Sequence, residues 1–216
     1  MTKNIGHLHV LTDETVQARF THLEIAEMAI RGGADTIQFR EKKRSTKELV
    51  ELAESLQRLC RARSVPLIID DRVDIALAVD ADGVHLGQRD LPVAAARRLL
   101  GPDKIIGGTA ATLDEAIAVQ NEGADYLGFG HIYATASKEK RGDPKGPGAL
   151  VEICGALSIP VIAIGGIGQE NFLPVLDAGA WGIAVIAAVC AAADPELAAR
   201  ELKRGVDSRF RQRSET

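Results

Sequence analysis

The amino-acid sequence predicts a single-domain (β/α)8 barrel, the TIM barrel, over residues 1–216, and three observations carry that expectation. Eight short aliphatic and β-branched runs alternate with helix-patterned segments from one end of the chain to the other, which is the element count of that fold. A Gly-Ala-Asp phrase recurs where a helix would hand over to the next strand: Gly33-Ala34-Asp35, Gly123-Ala124-Asp125, and, varied, Asp80-Ala81-Asp82-Gly83 and Gly179-Ala180-Trp181-Gly182. Each reads as a helix-ending Gly followed by a tight turn into the next strand. Aromatic residues make up only 4% of the chain, so aliphatic side chains must build the core, as parallel sheets buried on both faces do. An open doubly wound sheet is the alternative with the same alternation.

Taken in order, the first strand is Leu8–Thr12 and the second Thr36–Arg40. The helix Thr46–Arg63 follows, with Leu49, Leu52, Ala53, Leu56 and Leu59-Cys60 on one face at spacings of three and four. The third strand is Leu67–Asp71, then a short helix Val73–Val79, the fourth strand Gly83–Leu86 and a helix after Pro92. The fifth strand, Ile105–Thr109, leads to a helix over Thr112–Glu122, with Thr112 as N-cap and Glu115 at the capping-box position. The sixth strand is Tyr126–Ile132. The connection Thr135 to Gly148 is long for a compact barrel and rich in Lys, Gly and Pro, as binding loops and lids are. The seventh and eighth strands are Val161–Gly165 and Ile183–Ala187, and Asp194-Pro195 opens the last helix.

Bulk properties exclude several classes. A net charge of −4 argues against a nucleic-acid binder. Met1 to Val10 lacks the apolar stretch of a signal peptide, and the longest apolar run, Ile183 to Ala193, is too short to span a bilayer. Cys60, Cys154 and Cys190 are scattered with no Cys-x-x-Cys spacing, so neither zinc nor a disulfide framework is expected, and a reducing cytoplasm is the natural setting. Whether the chain forms a homo-oligomer is left open.

Barrel active sites lie at the C-terminal ends of the strands. At the end of the second strand, Gln38, Arg40 and Lys42 share one face and suit a phosphate-rich anion. The third strand ends in Asp70-Asp71, and the fourth runs on to Asp90. Carboxylates brought together there need a cation between them, and with Arg40 and Lys42 they suit a magnesium ion that also takes diphosphate oxygens. The plainer alternative is capping: Asp71 or Asp74 for the short helix, Asp90 for the helix after Pro92. Thr109 ends the fifth strand with a hydroxyl, and the sixth offers His131, Thr135, Ser137 and Lys138 at the mouth of the long loop. Gly165-Gly166 after the seventh strand, and the turn after the eighth, are where barrels commonly bind a phosphate through backbone N–H groups. Two anion sites side by side suit a reaction joining a diphosphate-bearing substrate to a monophosphate-bearing one.

The runs Gln38-Phe39-Arg40-Glu41-Lys42, Asp71-Arg72-Val73-Asp74-Ile75-Ala76 and Gly83-Val84-His85-Leu86-Gly87-Gln88-Arg89-Asp90, within a match from Leu8 to Ile186, resemble the thiamine-phosphate synthase family. The resemblance implies a barrel transferase that couples hydroxymethylpyrimidine diphosphate to a thiazole phosphate or carboxythiazole phosphate, giving thiamine phosphate and diphosphate by magnesium-assisted dissociative loss of diphosphate. It implies that Gln38 to Lys42, Phe39 and Glu41 included, hold the pyrimidine diphosphate together with Asp70, Thr109 and Lys138. On the same resemblance, Asp71 and Asp90 ligate Mg²⁺, and Thr135, Ala136 and Ser137 line the thiazole-phosphate site with Gly166, Ile186 and Ala187. Arg40, Lys42 and Lys138 would neutralise the leaving diphosphate as the catalytic cations. The chain departs from the family pattern at Asp70, where Asn is usual, at Thr109 and Ala187, where Ser is usual, and at His131, where many synthases carry Pro. Gly130-His131 resembles instead the related thiazole tautomerases, in which that His is acid and base. A tautomerase and a non-catalytic phosphate-binding barrel are the rival expectations.

Overall fold

Eight parallel strands pair in chain order, and the last pairs with the first. The strands are β1 (Leu8–Thr12), β2 (Thr36–Phe39), β3 (Leu67–Asp70), β4 (Gly83–Leu86), β5 (Ile105–Ala110), β6 (Tyr126–Gly130), β7 (Val161–Ile164) and β8 (Gly182–Val185). The structure is a computed structural model that describes residues 3–135, 137 and 143–214. The register Leu8↔Ile183, His9↔Ala184 and Val10↔Val185 closes the barrel and excludes the open sheet.

Among the described residues, helices α1 (His22–Arg31), α2 (Thr46–Ala62), α3 (Val73–Ala78), α4 (Val93–Leu100), α5 (Leu113–Asn121), α6 (Gly148–Ala156), α7 (Phe172–Asp177), α8 (Ala187–Cys190) and α9 (Pro195–Ser214) surround the strands. Local chemistry sets their starts. Thr21 with Glu24, and Ser45 with Glu48, form full capping boxes at α1 and α2. At α5 the Thr112 side chain accepts from the Glu115 N–H as expected, but Glu115 Oε2 accepts from Ala111 N–H instead of closing the box. None of these helices is long and apolar enough to cross a membrane.

The recurring Gly-Ala-Asp phrase has a structural role at the N-terminal pole. Gly33, Gly123 and Gly179 have φ of 97°, 93° and 106°, the left-handed conformation that ends a helix, and Asp80, at φ 53°, takes that place in the fourth copy. The aspartates then grip the preceding strand. Asp35 Oδ2 accepts from the N–H groups of His7 and Leu8, Asp82 Oδ2 from Leu67 N–H, and Asp125 Oδ2 from Ile106 N–H, at 2.7–3.0 Å. Trp181 replaces the aspartate in the last copy. Its indole N–H donates to Ile5 O at 2.7 Å, and its ring meets those of His7 and Phe210.

Period-two alternation divides each strand between two environments. Outward residues such as Val10, Ile37, Phe39, Leu67, Ile69 and Val84 pack in the strand–helix core. Inward residues include His9, Gln38, Asp70, His85, Thr109 and Tyr126, an unusually polar set for a barrel interior, which branched aliphatics normally fill. The result is a cavity of about 210 Å³ opening at the C-terminal pole.

Five predicted strands run past their observed ends. β2, β3, β6 and β7 stop at Phe39, Asp70, Gly130 and Ile164, and β8 occupies Gly182–Val185 rather than Ile183–Ala187. In each case the chain turns out of the sheet to build the rim.

Candidate active site

The rim over β1 to β3 is a chain of alternating charges. Asp13, just past β1 and 1% exposed, holds Arg40 Nη1 with Oδ2, while its Oδ1 accepts from Thr15 N–H at 2.7 Å. Arg40 Nε lies 3.7 Å from Asp70 Oδ2, and Lys42 Nζ lies 2.9 Å from the same oxygen while also pairing with Asp71. Gln38 Nε2 donates to Asp70 Oδ1 at 3.2 Å. Thus Gln38, Arg40, Lys42, Asp70 and Asp71, expected together, are together. Asp13 is the added member, and its partner comes from another strand, so spacing along the chain does not announce it.

Phe39 and Glu41, expected as substrate contacts, turn their side chains away from the cavity. Phe39 is 2% exposed in the outer core, edge-on to the His22 ring. Glu41 turns to His22 Nε2 at 3.3 Å and to Arg44 at 3.5 Å. Both follow from alternation, since Gln38 and Arg40 already occupy the inward positions.

The capping alternatives for the aspartates do not hold. α3 opens after Arg72 and α4 after Pro92, neither with a side-chain cap. Asp74 instead pairs with Arg72. Asp71 has φ 63° and donates its N–H to His85 O at 2.8 Å. Asp90 Oδ2 accepts from Gly87 N–H at 2.7 Å, which folds the segment after β4 back on itself.

For a metal, the donor chemistry is suitable: Asp70 and Asp71 at this rim, and Asp90 in the turn after β4, offer only carboxylate oxygens, which hard divalent cations prefer. Asp70 Oδ2 is buried and held only by the ion-pair contacts of Lys42 and Arg40, and Arg40 Nε is buried with no hydrogen-bond partner among the described residues, so the rim keeps a buried donor that its own residues leave unsatisfied. Among the described residues, the one trio of ligand atoms within 4.8 Å of one another lies elsewhere, at Glu14, His22 and Glu41. There Arg44 already supplies the cation, at 2.6 Å from Glu14 and 3.5 Å from Glu41.

Across the cavity, His131 lines the wall with Gly130, Thr135, Ser137, Ile164 and Gly165. A second recess of about 50 Å³ adjoins it, lined by Thr135, Ser137, Gly166, Ile186, Ala187 and Ala188, and shares Thr135, Ser137 and Ile186 with the main cavity. Backbone forms much of this recess. Gly166 has φ 68°, and a Cβ there would lie 2.5 Å from Ala134 O. Asn171, which sequence reasoning missed, cinches the turn: its amide accepts from Gly168 N–H at 2.8 Å and donates to Gly166 O at 2.9 Å. The first N–H groups of α8, at Ala187 and Ala188, are ones that helix geometry leaves unpaired. Ala136 and Lys138, expected as a substrate contact and a catalytic cation, lie outside the described residues. Lys145 and Gly146 donate N–H groups to His131 O and Ile132 O at 2.9 and 3.0 Å.

At the floor, His85 and Tyr126, also missed, meet Thr109. His85 Nδ1 is 3.0 Å from the Tyr126 hydroxyl, and Nε2 is 2.8 Å from Thr109 Oγ1.

A charged recess and a backbone-built recess sharing one wall, on the catalytic rim of a closed barrel, define a class: barrel enzymes that act on phosphorylated small molecules. A family model described as thiamine monophosphate synthase matches residues 8–189, and the chain belongs to that family. It is 50% identical over 210 residues to a thiamine-phosphate synthase of Salinibacter ruber, covering 97% of this chain and 92% of that one. It is 54% identical over 195 residues to one of Chlorobium luteolum, covering 90% of each. A solved thiamine phosphate pyrophosphorylase from Pyrococcus furiosus superposes with a TM-score of 0.85 at 40% identity, over 94% of this chain and 96% of that one. The chain is accordingly a transferase of thiamine biosynthesis on a TIM barrel.

Proposed function

We propose that the charged recess binds hydroxymethylpyrimidine diphosphate and the backbone recess binds a thiazole phosphate, so that the shared wall brings the two reacting atoms together. The alternating charge chain Asp13–Arg40–Asp70–Lys42–Asp71 carries this reading. In it, two cations and three carboxylates stand in contact, an excess of one carboxylate that suits a cation and a polyanion bound together. Asp71 and Asp90 would hold Mg²⁺, with Asp70 beside them, and the ion when bound would add positive charge against the diphosphate oxygens.

The pyrimidine methylene carbon–oxygen bond breaks with its electron pair leaving on diphosphate, and the lone pair of the thiazole nitrogen then forms the new carbon–nitrogen bond. Arg40 and Lys42 lie where that leaving charge gathers, and Lys42 can turn from Asp71 to a phosphate oxygen. Lys138, at the long loop, is proposed as the third cation. The aminopyrimidine itself stabilises the intervening cation, so no protein nucleophile is needed. Ile162, Ile164, Ala184 and Ile186 face that part of the cavity and keep water from it. Thr135, Ser137, Gly166 and Ala187 would take the thiazole phosphate, Ala187 through its N–H alone. The substrates are small molecules, and the free Cys60, Cys154 and Cys190 fit a reducing cytoplasm.

A second reading, a thiazole tautomerase with His131 as acid and base, draws on the place of His131 in the cavity wall. Isomerising a monophosphate does not call for the carboxylate rim or for Lys42, which favours the synthase. Mixing the purified chain with both substrates and Mg²⁺ should give thiamine phosphate, abolished by chelation. Tautomer exchange of the carboxythiazole phosphate with no thiamine phosphate would establish the second reading instead.

A further inference from the structure

At the floor of the cavity, two residues that the reaction described above does not use, His85 and Tyr126, stand in a polar relay behind Thr109. Tyr126 is buried, and burial, reinforced by the Asp70 carboxylate, raises its phenol pKa above the usual range, so the hydroxyl keeps its proton. A buried phenol O–H needs an acceptor, and among the described residues the acceptor that faces it is His85 Nδ1, at 3.0 Å. A neutral imidazole that accepts at Nδ1 carries its proton on Nε2. Nε2 faces Thr109 Oγ1 at 2.8 Å, so the imidazole donates to that oxygen. The Thr109 O–H must therefore point elsewhere, and among the described residues no protein acceptor faces it. What it faces is the cavity.

The backbone is shaped for this relay. A Cβ at Gly107 would lie 2.5 Å from His85 Nδ1 and as close to Tyr126 Cε1, and one at Gly128 would lie 2.8 Å from His85 Cε1. Real Cβ atoms essentially never approach so closely, so these two glycines are what admit the two rings to the barrel interior. His9 stacks obliquely on Tyr126, with ring centroids 5.5 Å apart, and its own pKa is lowered to about 4 by burial, so it adds no charge beneath the relay.

We propose that Tyr126 and His85 are positioning residues that fix the Thr109 hydroxyl as a hydrogen-bond donor, selecting an acceptor atom on the pyrimidine diphosphate in the cavity. This rests on the assignment of the charged recess to that substrate. Without the Tyr126 hydroxyl the imidazole can carry its proton on Nδ1, accept a hydrogen bond from the Thr109 O–H at Nε2, and so turn the hydroxyl away from the cavity. Removing Tyr126 OH and removing Thr109 OH thus delete the same substrate contact.

Two measurements test this, the first independent of any substrate. In ¹⁵N-histidine-labelled protein, His85 should show the Nε2–H tautomer, and Tyr126→Phe should shift it toward Nδ1–H; a wild-type Nδ1–H tautomer or an imidazolium overturns the relay even if thiamine phosphate is made. In steady-state assays, Tyr126→Phe and Thr109→Val should each raise KM for the pyrimidine diphosphate about tenfold, the double variant no further, with KM for the thiazole phosphate unmoved. Thr109→Ser should restore the wild-type value. Additive effects, or equal effects on both substrates, overturn the proposal. Should Tyr126→Phe fail to fold, the Thr109→Val and Thr109→Ser pair and the wild-type tautomer still decide it.

Discussion

Asp71 is held at φ 63°, where most side chains are strained but Asp and Asn are tolerated. Asp71→Asn is therefore the clean test of its charge, keeping the backbone that Ala would strain. It should lower kcat at least about a hundredfold while thermal unfolding stays unchanged, and a fully active Asp71→Asn enzyme would remove the residue from the metal set. His131→Asn separates the two readings of the cavity wall: it should leave thiamine phosphate synthesis within about threefold of wild type, at most about 0.7 kcal/mol, whereas loss of synthesis would give His131 a part in the chemistry. At this scale the sequence was informative where function follows alternation. Gln38, Arg40 and Asp70 face inward because their positions in β2 and β3 do, and the same rule turns Phe39 and Glu41 outward. It was silent where a residue acts through a partner far along the chain: Asp13 on Arg40, Tyr126 on His85.

Elements are placed by what lies at both of their ends. At the N-terminal pole, Asp125 joins the start of β5 to Lys3 and Arg97, accepting from Ile106 N–H at 2.7 Å, Lys3 Nζ at 2.9 Å and Arg97 Nη2 at 2.6 Å. Asp125→Ala leaves these donors unsatisfied and should cost about 2–4 kcal/mol in urea unfolding, with KM for both substrates unaffected because the site lies at the opposite pole. An unchanged unfolding midpoint would reduce the aspartate phrase to a turn signal. Helix starts were legible because capping chemistry is local, as at Thr21 and Ser45. Strand ends were not, because Ile132 and Ile186 continue the apolar pattern after the backbone has left the sheet; tertiary position, not propensity, ends those strands.

For the whole molecule, the polar interior has a thermodynamic consequence. Burial lowers the His9 pKa from 6.5 to about 4. Between those values the unfolded chain takes up a proton that the folded chain refuses, so stability falls as pH drops through that window and is fully present above it. The loss reaches about 3 kcal/mol by pH 4. His9→Gln should flatten this part of the pH–stability curve in chemical denaturation; an identical slope in the variant would show that His9 does not set it. The barrel was legible from the number and alternation of its strands, but closure was not. No local pattern states that Leu8 lies beside Ile183 rather than at the free side of a sheet.

That closure has a consequence for how the molecule fails. An open sheet that loses its outermost strand still has one edge on that side, whereas a barrel opened at the β1–β8 seam exposes two. The seam is reinforced from outside its own strands, by the Trp181 indole on Ile5 O and by the His7 ring stacked between Trp181 and Phe210, with centroids 4.7 and 3.9 Å away. Loosening that aromatic clasp would present two rows of unpaired N–H and C=O groups to neighbouring chains at once. Self-association would then accompany unfolding, and the clasp, far from any substrate, guards solubility.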